Sequence, residues 1–389
     1  MTRITESGTA ANGVDLSTYD RAGRLACFCP PGSPVIGQEH KGVLWRLSLG
    51  FGCAVLAQTL VSALLPLSGL MLAPQPYLIP APYMAMILGA AAATFPASYL
   101  LDAFGRKASF ALGASHGLAG GLVLAWALSH HSFYLLLLGA FWLGIAQGFS
   151  LFYRHEAAIG HSAREAMGRI ILVFGSGALA GILGPALLFL CAQKLSDHAD
   201  VLIAIVAACA QIAVLFLAVS TAAPQTSSDA PMILHHGGWR FWAPTLCAAS
   251  AWFGMTQTML SMPSAMTLCG IAQTSIFGVM AWHVLMMYAP AFAVYPLARR
   301  IGAPLIALFG LVLIALAHES AARAQNVIDF SFVLGALALG WSLATTAATL
   351  WLHRDGSPSR WMLAGHDGLL FLAALFGAFA SAPVPLGLI

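Results

Sequence analysis

Long apolar runs separated by short polar breaks follow one another along this chain from about residue 44 onward. Each run approaches or exceeds the roughly 20 residues that an α-helix needs to cross the hydrocarbon core of a bilayer. Because the runs are continuous and do not alternate with polar residues, they predict helices and not the strands of a β-barrel. We predict eleven membrane-spanning helices, over residues 44–66, 77–101, 108–129, 132–153, 170–192, 200–221, 241–266, 272–297, 303–318, 328–352 and 363–382.

Two polar segments divide the chain. Residues 1–43 are mostly polar and carry no evident secretory signal, so we expect a cytoplasmic N-terminal tail. Residues 222–240 are the one long polar break among the apolar runs, and we expect a cytoplasmic central loop there. This leaves a six-helix first half, 44–221, and a second half, 241–389, with five predicted helices. A twelfth helix, which would make the halves equal, is missing from the predicted set.

Composition and the placement of charge support this topology. Hydrophobic residues make up 59% of the chain, charged residues 8%, and the mean hydropathy is +0.83, which excludes a soluble domain. In the predicted topology, all of the 17 Lys and Arg residues except Lys194 and Arg323 lie on the same side of the membrane as the N-terminus. Positive residues concentrate on the cytoplasmic side, so we expect a multi-pass protein of the bacterial inner membrane. No nucleotide-binding motif is present, and we expect a carrier, not an enzyme, without cofactor or nucleic-acid partner.

A short charged motif, Asp102-Ala-Phe-Gly105-Arg106-Lys107, lies between the second and third predicted helices. Gly105 can make a tight turn there, while Asp102 and Arg106 can pair and cap the helix ends. The motif resembles the cytoplasmic loop motif of the major facilitator superfamily, G-x-x-x-D-x-x-G-R-K/R, with Ser98 in place of the leading glycine. The resemblance implies an all-α polytopic fold of the major facilitator type, with two pseudo-symmetric halves around a central cavity.

The fifth predicted helix carries small residues every three or four positions, a pattern that allows helices to pack closely. These residues are Gly175, Gly177, Gly181 and Gly184. The segment resembles the glycine-rich motif in the fifth helix of the same superfamily. Ordinary close packing of helices explains the pattern equally well.

Methionines concentrate on the seventh and eighth predicted helices. Seven lie between residues 255 and 287, namely Met255, Met259, Met262, Met266, Met280, Met286 and Met287. The first four follow a spacing of i, i+4, i+7 and i+11, which predicts one face of a single helix. His283 and Met287 form an i, i+4 pair on the next helix. Burying an unpaired imidazole in a membrane is costly, so His283 needs a partner or a function.

The ligand chemistry of these side chains points to copper. Thioether sulfur favours Cu(I) and imidazole binds copper in either oxidation state, whereas Mg²⁺ and Zn²⁺ more often take carboxylate or thiolate ligands. The paired motifs Met255-x-x-x-Met259 and His283-x-x-x-Met287 resemble those of the CcoA-type copper importers, which supply copper for assembly of cbb3-type cytochrome c oxidase. That resemblance implies that these four residues are the copper ligands. The accessory candidates are Cys247, Cys269, Met262 and Met286.

The leading hypothesis is therefore copper import by alternating access, by a monomer in the lipid bilayer that can pass copper to a cytoplasmic chaperone. One alternative is a major facilitator carrier of a small organic solute, such as a drug, vitamin or siderophore, in which the Met-rich helices line an apolar cavity. Another is a non-transporting membrane factor that holds copper for an assembly partner.

Two further polar clusters lie at the predicted cytoplasmic ends of helices. Arg154-His155-Glu156 follows the fourth predicted helix, where charged gate contacts are expected. His366-Asp367 begins the eleventh, as either a proton-coupling site or a helix cap.

Overall fold

The computed structural model describes residues 42–159, 161–194, 198–221, 238–356 and 358–381. The predicted N-terminal tail up to residue 41, the central loop over 222–237 and the chain after residue 381 lie outside the described residues. The described part is built of helices, which confirms the all-α prediction. In chain order they are α1 (Gly42–Leu72), a 3₁₀ turn (Pro76–Leu78), α2 (Ala81–Ser129), α3 (Phe133–Glu156), α4 (Ala163–Gly175), α5 (Ala178–Lys194), α6 (Ala199–Ser220), α7 (Trp239–Met259), α8 (Met262–Leu268), α9 (Gln273–Tyr288), α10 (Ala291–Ile301), α11 (Ala303–Ala321), α12 (Val327–Leu352) and α13 (Arg360–Ser381).

Within the described residues, nine helical stretches are long and apolar enough to cross a membrane. The stretch Pro76–Ser129 has 54 residues, about 80 Å at 1.5 Å per residue, which is more than twice the roughly 30 Å of a hydrocarbon core. Gly105 interrupts it with φ of 76°, a conformation that glycine adopts at little cost. The turn that the Asp102 motif predicts is therefore present, while the total of eleven spans stays a prediction.

Three predicted helices are interrupted. The fifth is divided into α4 and α5, the seventh into α7 and α8, and the eighth into α9 and α10. The expected single helical face of methionines is therefore wrong, because Met259 ends α7 and Met262 begins α8. Pro263 is the second residue of α8, and Pro290 directly precedes the first residue of α10. Proline has no N–H with which to continue the preceding helix, and at the start of a helix that N–H would have no partner within the helix.

The two halves meet along their helices, with α5 against α9, α2 against α13 and α4 against α10. Three glycines of the predicted motif, Gly175, Gly177 and Gly181, lie in this interface, whereas Gly184 lies against α1. A Cβ atom added at Gly181 would come 2.6 Å from the backbone nitrogen of Leu285, and one at Gly177 would come 2.5 Å from the ring of Tyr288. The predicted close packing of this helix is thus confirmed, and its partner is the helix that carries His283.

Candidate functional site

A cavity lies between the two halves, enclosed by α1 to α5 on one side and by α7, α9, α12 and α13 on the other. It holds about 120 Å³ of space open to the centre of a water-sized sphere. That is room for roughly eight to twelve waters at about 10–15 Å³ each. Along α1 the lining extends from Phe51 to Ala63, which is about 18 Å of helix at 1.5 Å per residue. Among the described residues, its lining contains no Asp, Glu, Lys or Arg.

Aromatic rings form a continuous wall of this cavity. Trp252 of α7 contacts Trp341 at 5.4 Å and Phe371 at 5.2 Å between ring centroids. Trp341 contacts Tyr288 at 5.8 Å, and Tyr288 contacts Phe174 of the first half at 5.2 Å. These are separations at which tilted and edge-to-face rings attract one another. The sequence did not reveal this wall, because its five rings come from five helices and share no common spacing.

All four residues predicted as copper ligands line the cavity. Met255 and Met259 reach it from α7, and His283 and Met287 reach it from α9. Met280 joins them. The structure therefore brings together the residues that the Met/His pattern singled out, although it places them in the wall of a much larger space than one ion fills.

The accessory candidates lie elsewhere. Met262, Met286, Cys247 and Cys269 are not among the residues that line the cavity. Cys247 packs on a separate apolar cluster, and Cys269 is exposed at the end of α8. Within the described part of the chain, no group of three or more His, Cys, Asp or Glu side chains could hold a metal ion. The thioethers of Met255, Met259 and Met287 remain as a candidate soft-metal ligand set beside His283.

His283 is completely buried, and one of its ring nitrogens has a partner. Nδ1 donates a hydrogen bond of 2.8 Å to the backbone carbonyl of Leu334 in α12. Nε2 has no hydrogen-bond partner among the described residues. The expected partner of this imidazole is thus present at Nδ1, whereas Nε2 still lacks one among the described residues.

A buried polar cluster, which we call the polar seal, joins the two halves at the end of the cavity that lies toward Asp102. It consists of Arg154, His155, His353, His366 and Asp367. Arg154 Nη2 donates a 2.5 Å hydrogen bond to Asp367 Oδ1, and both side chains are 0% exposed. His155 Nδ1 lies 2.9 Å from His353 Nε2.

The polar seal stands directly behind the cavity wall. The guanidinium of Arg154 lies 5.8 Å from the centroid of the Phe174 ring, which lines the cavity. Thr245 of α7 lies 2.9 Å from His366 Nδ1. The expectation of a helix cap at His366-Asp367 is wrong, because Asp367 lies inside α13 and bonds Arg154 of the other half.

Asp102 of the gate motif and Glu156 lie at the outer rim of the polar seal, where both meet Arg360. Arg360 of α13 bonds Glu156 at 2.8 Å and Asp102 at 2.6 Å, so three helices from both halves meet on one guanidinium. The charged contacts expected at the end of α3 are therefore present, while their role as a gate stays a prediction. Arg360 itself gave no signal in the sequence, since its partners stand more than 200 positions away.

Comparisons with known proteins identify the architecture. No family model matches the chain. The riboflavin transporter RfnT of Brucella anthropi is 29% identical over 295 residues, which cover 73% of this chain and 73% of that protein. The crystal structure of the human organic anion transporter MFSD10 (TETRAN) matches with a TM-score of 0.60, over 89% of this chain and 93% of that one, at 15% identity. This chain has the major facilitator fold.

The major facilitator fold confirms the fold class that the Asp102 motif predicted, and it places the cavity where such proteins hold their solutes, between the halves. The finer resemblance to copper importers finds no support in these comparisons. The 29% identical protein is named for riboflavin, an organic solute, which fits the organic-solute alternative better than copper import.

Proposed function

We propose that the protein carries a small, uncharged organic solute across the membrane by alternating access, binding it in the cavity between the halves. The observation that carries this proposal is the cavity itself, which extends about 18 Å along α1, has an aromatic wall and is lined by no charged side chain of the described residues. Small-molecule sites are typically apolar spaces of this kind with a few polar groups. The polar seal supports alternating access, which requires one end to be closed while the other admits solute.

Riboflavin is the first solute to test. One relative is named a riboflavin transporter, and the flat rings of a flavin suit stacking on Trp252, Trp341 and Tyr288. We place the protein in the bacterial inner membrane as a monomer without cofactor, its N-terminus and the Asp102 end in the cytoplasm. The cytoplasmic copper chaperone has no role in this proposal.

Copper import is the second candidate, since Met255, Met259, His283 and Met287 all line the same cavity. An ion held by sulfur and nitrogen sits within about 2.0–2.3 Å of its ligands, judging from zinc sites. It would occupy a small part of a cavity about 18 Å long. That mismatch in size ranks copper below an organic solute.

The proposal is tested by uptake into proteoliposomes that contain the purified full chain. Labelled riboflavin and radioactive copper are supplied in parallel to wild type, Trp252→Ala and the matched control Trp242→Ala. Trp252 lines the cavity, whereas Trp242 lies on the same helix with 48% of its surface exposed. We expect saturable riboflavin uptake that falls at least about tenfold in Trp252→Ala and is unchanged in the control, since loss of one stacked ring removes about 1.4 kcal/mol of binding or more.

Two results would contradict the proposal. Copper flux without riboflavin flux would reverse the ranking of the two candidates. Ligand binding in detergent without any flux in vesicles would favour the non-transporting factor.

A further inference from the structure

We propose that the solute has an uncharged polar edge bearing both hydrogen-bond donors and acceptors, and that His283, Gln147 and Trp252 recognise this edge through hydrogen bonds. The inference rests on the proposed function and names the class of solute that the cavity selects. It starts from three buried side chains that line the cavity from both halves and keep an unpartnered polar atom.

The tautomer of His283 follows from its one hydrogen bond. The carbonyl oxygen of Leu334 can only accept, so the proton must be on Nδ1. A second proton on Nε2 would make an imidazolium, which a fully buried position within a membrane-spanning helix disfavours. Nε2 therefore carries a bare lone pair, and we infer that it accepts a hydrogen bond from a solute in the cavity that His283 lines.

Trp252 supplies the opposite polarity. Its side chain is 9% exposed, and its Nε1–H has no acceptor among the described residues. An indole N–H can only donate, so its partner must be a carbonyl or other acceptor on the solute. Because the same indole also packs on Trp341 and Phe371, its orientation is held by the aromatic wall.

Gln147 adds an adaptable group from the first half. It is 7% exposed, and its Oε1 is unpartnered among the described residues. An amide can turn to present either its oxygen or its NH₂ group. Gln147 is in α3, whereas Trp252 and His283 are in the second half, so a solute bonded to all three touches both halves at once.

The absence of charge in the described lining narrows the class further. Arg154 stands behind the Phe174 ring, but its charge is already paired with Asp367. A carboxylate or an ammonium group entering the cavity would therefore lose its hydration without meeting an opposite charge. The class that fits is a neutral, flat heterocycle whose ring carries an N–H next to carbonyl groups, as in a cyclic imide or a ureide.

The test measures equilibrium binding to the purified full chain with two probes. One is riboflavin, which has an imide N–H between two carbonyls, and the other is its N3-methyl derivative, which lacks that donor. Wild type is expected to bind the methylated probe at least about tenfold more weakly. Trp252→Phe, which keeps one aromatic ring but removes the N–H together with the rest of the indole, is expected to weaken riboflavin binding at least about tenfold.

Two substitutions at His283 separate recognition from folding. In His283→Asn the amide nitrogen can take the place of Nδ1 and keep the bond to Leu334, but the acceptor at Nε2 is lost. In His283→Gln an amide oxygen can take the place of Nε2. We expect His283→Asn to bind both probes equally and weakly, while His283→Gln retains a preference for riboflavin. The matched control is Met286→Leu, which replaces a thioether on the same helix at a position outside the cavity lining, and it is expected to bind both probes as wild type does.

The outcomes distinguish this inference from the proposed function. Tight riboflavin binding that is indifferent to N3-methylation and to His283→Asn overturns the inference and leaves an organic-solute carrier intact. No riboflavin binding by wild type, with Cu(I) bound instead and lost in both His283→Asn and Met287→Leu, overturns both.

Discussion

Replacing Asp367 by asparagine is expected to open the end of the protein that the polar seal closes. The Arg154–Asp367 pair is 2.5 Å long, joins α3 to α13 and is 0% exposed on both sides. Removing one partner of such a buried pair leaves an uncompensated charge and typically costs about 3–5 kcal/mol. Since about 1.4 kcal/mol corresponds to a tenfold change in an equilibrium constant, the ratio of sealed to open conformations should fall by a factor of about 100 or more.

The assay is the rate at which a membrane-impermeant thiol reagent labels Ser150→Cys from the Asp102 end, in a variant without other cysteines. Ser150 is buried, lines the cavity and lies one helical turn before Arg154. We expect Asp367→Asn to raise this rate about 100-fold or more, and the double variant Arg154→Gln with Asp367→Asn to restore much of the protection.

The matched control is the exposed pair Arg240–Asp355. Its atoms are 3.2 Å apart, but the side chains are 68% and 36% exposed. Water screens such a pair, so Arg240→Gln should change labelling by less than about fivefold, the equivalent of 1 kcal/mol or less. Equal labelling rates in Asp367→Asn and Arg240→Gln, with both proteins folded, would refute the view that the buried pair holds the end closed.

Two further predictions concern stability. Gly144→Ala should lower the melting temperature and the folded yield, because the new Cβ would lie 1.9 Å from the Met86 carbonyl oxygen and overpacking typically costs about 1–3 kcal/mol. Gly168→Ala, with nothing within 4 Å, should melt at or above wild type, and similar losses in both variants would contradict the packing argument. Burial holds the pKa of His353 well below its ordinary 6.5, with Arg154 and His155 adding to the effect. Only the unfolded chain takes up this proton as the pH falls below about 6.5. The free energy of unfolding should therefore be highest with respect to this group above that pH, and it should decline below it. Melting at pH 8 and pH 5.5 should show a smaller decline in His353→Gln, and an identical decline would assign the effect to other groups.

Much of the fold could be predicted because membrane-spanning helices are local in origin. Each apolar run satisfies its own backbone hydrogen bonds, so its presence follows from composition and length. Gly105 could be assigned to a turn in the same way, since the motif around it is contiguous. The interruptions at Pro263 and Pro290 were missed, because a proline in a membrane helix is tolerated in some contexts and ends the helix in others.

The candidate site was predictable only in part. Helical spacing brought Met255, Met259, His283 and Met287 together on two helices, and the structure places all four in one cavity wall. The choice of copper followed from the donor atoms and from the resemblance of the two motifs to those of copper importers. The sequence contains no measure of the empty space beside those atoms, and that space favours an organic solute.

The sequence by itself thus determined that the chain forms long apolar helices, that it turns at Gly105 and that soft side chains recur at helical spacing, because each of these depends on residues close together in the chain. Only the tertiary structure decided that Asp367 bonds Arg154, that Leu334 fixes the proton of His283 and that aromatic rings from five helices meet around a cavity. These features arise from residues 51 to 213 positions apart. Their hydrogen bonds and voids come into existence only when the two halves pack.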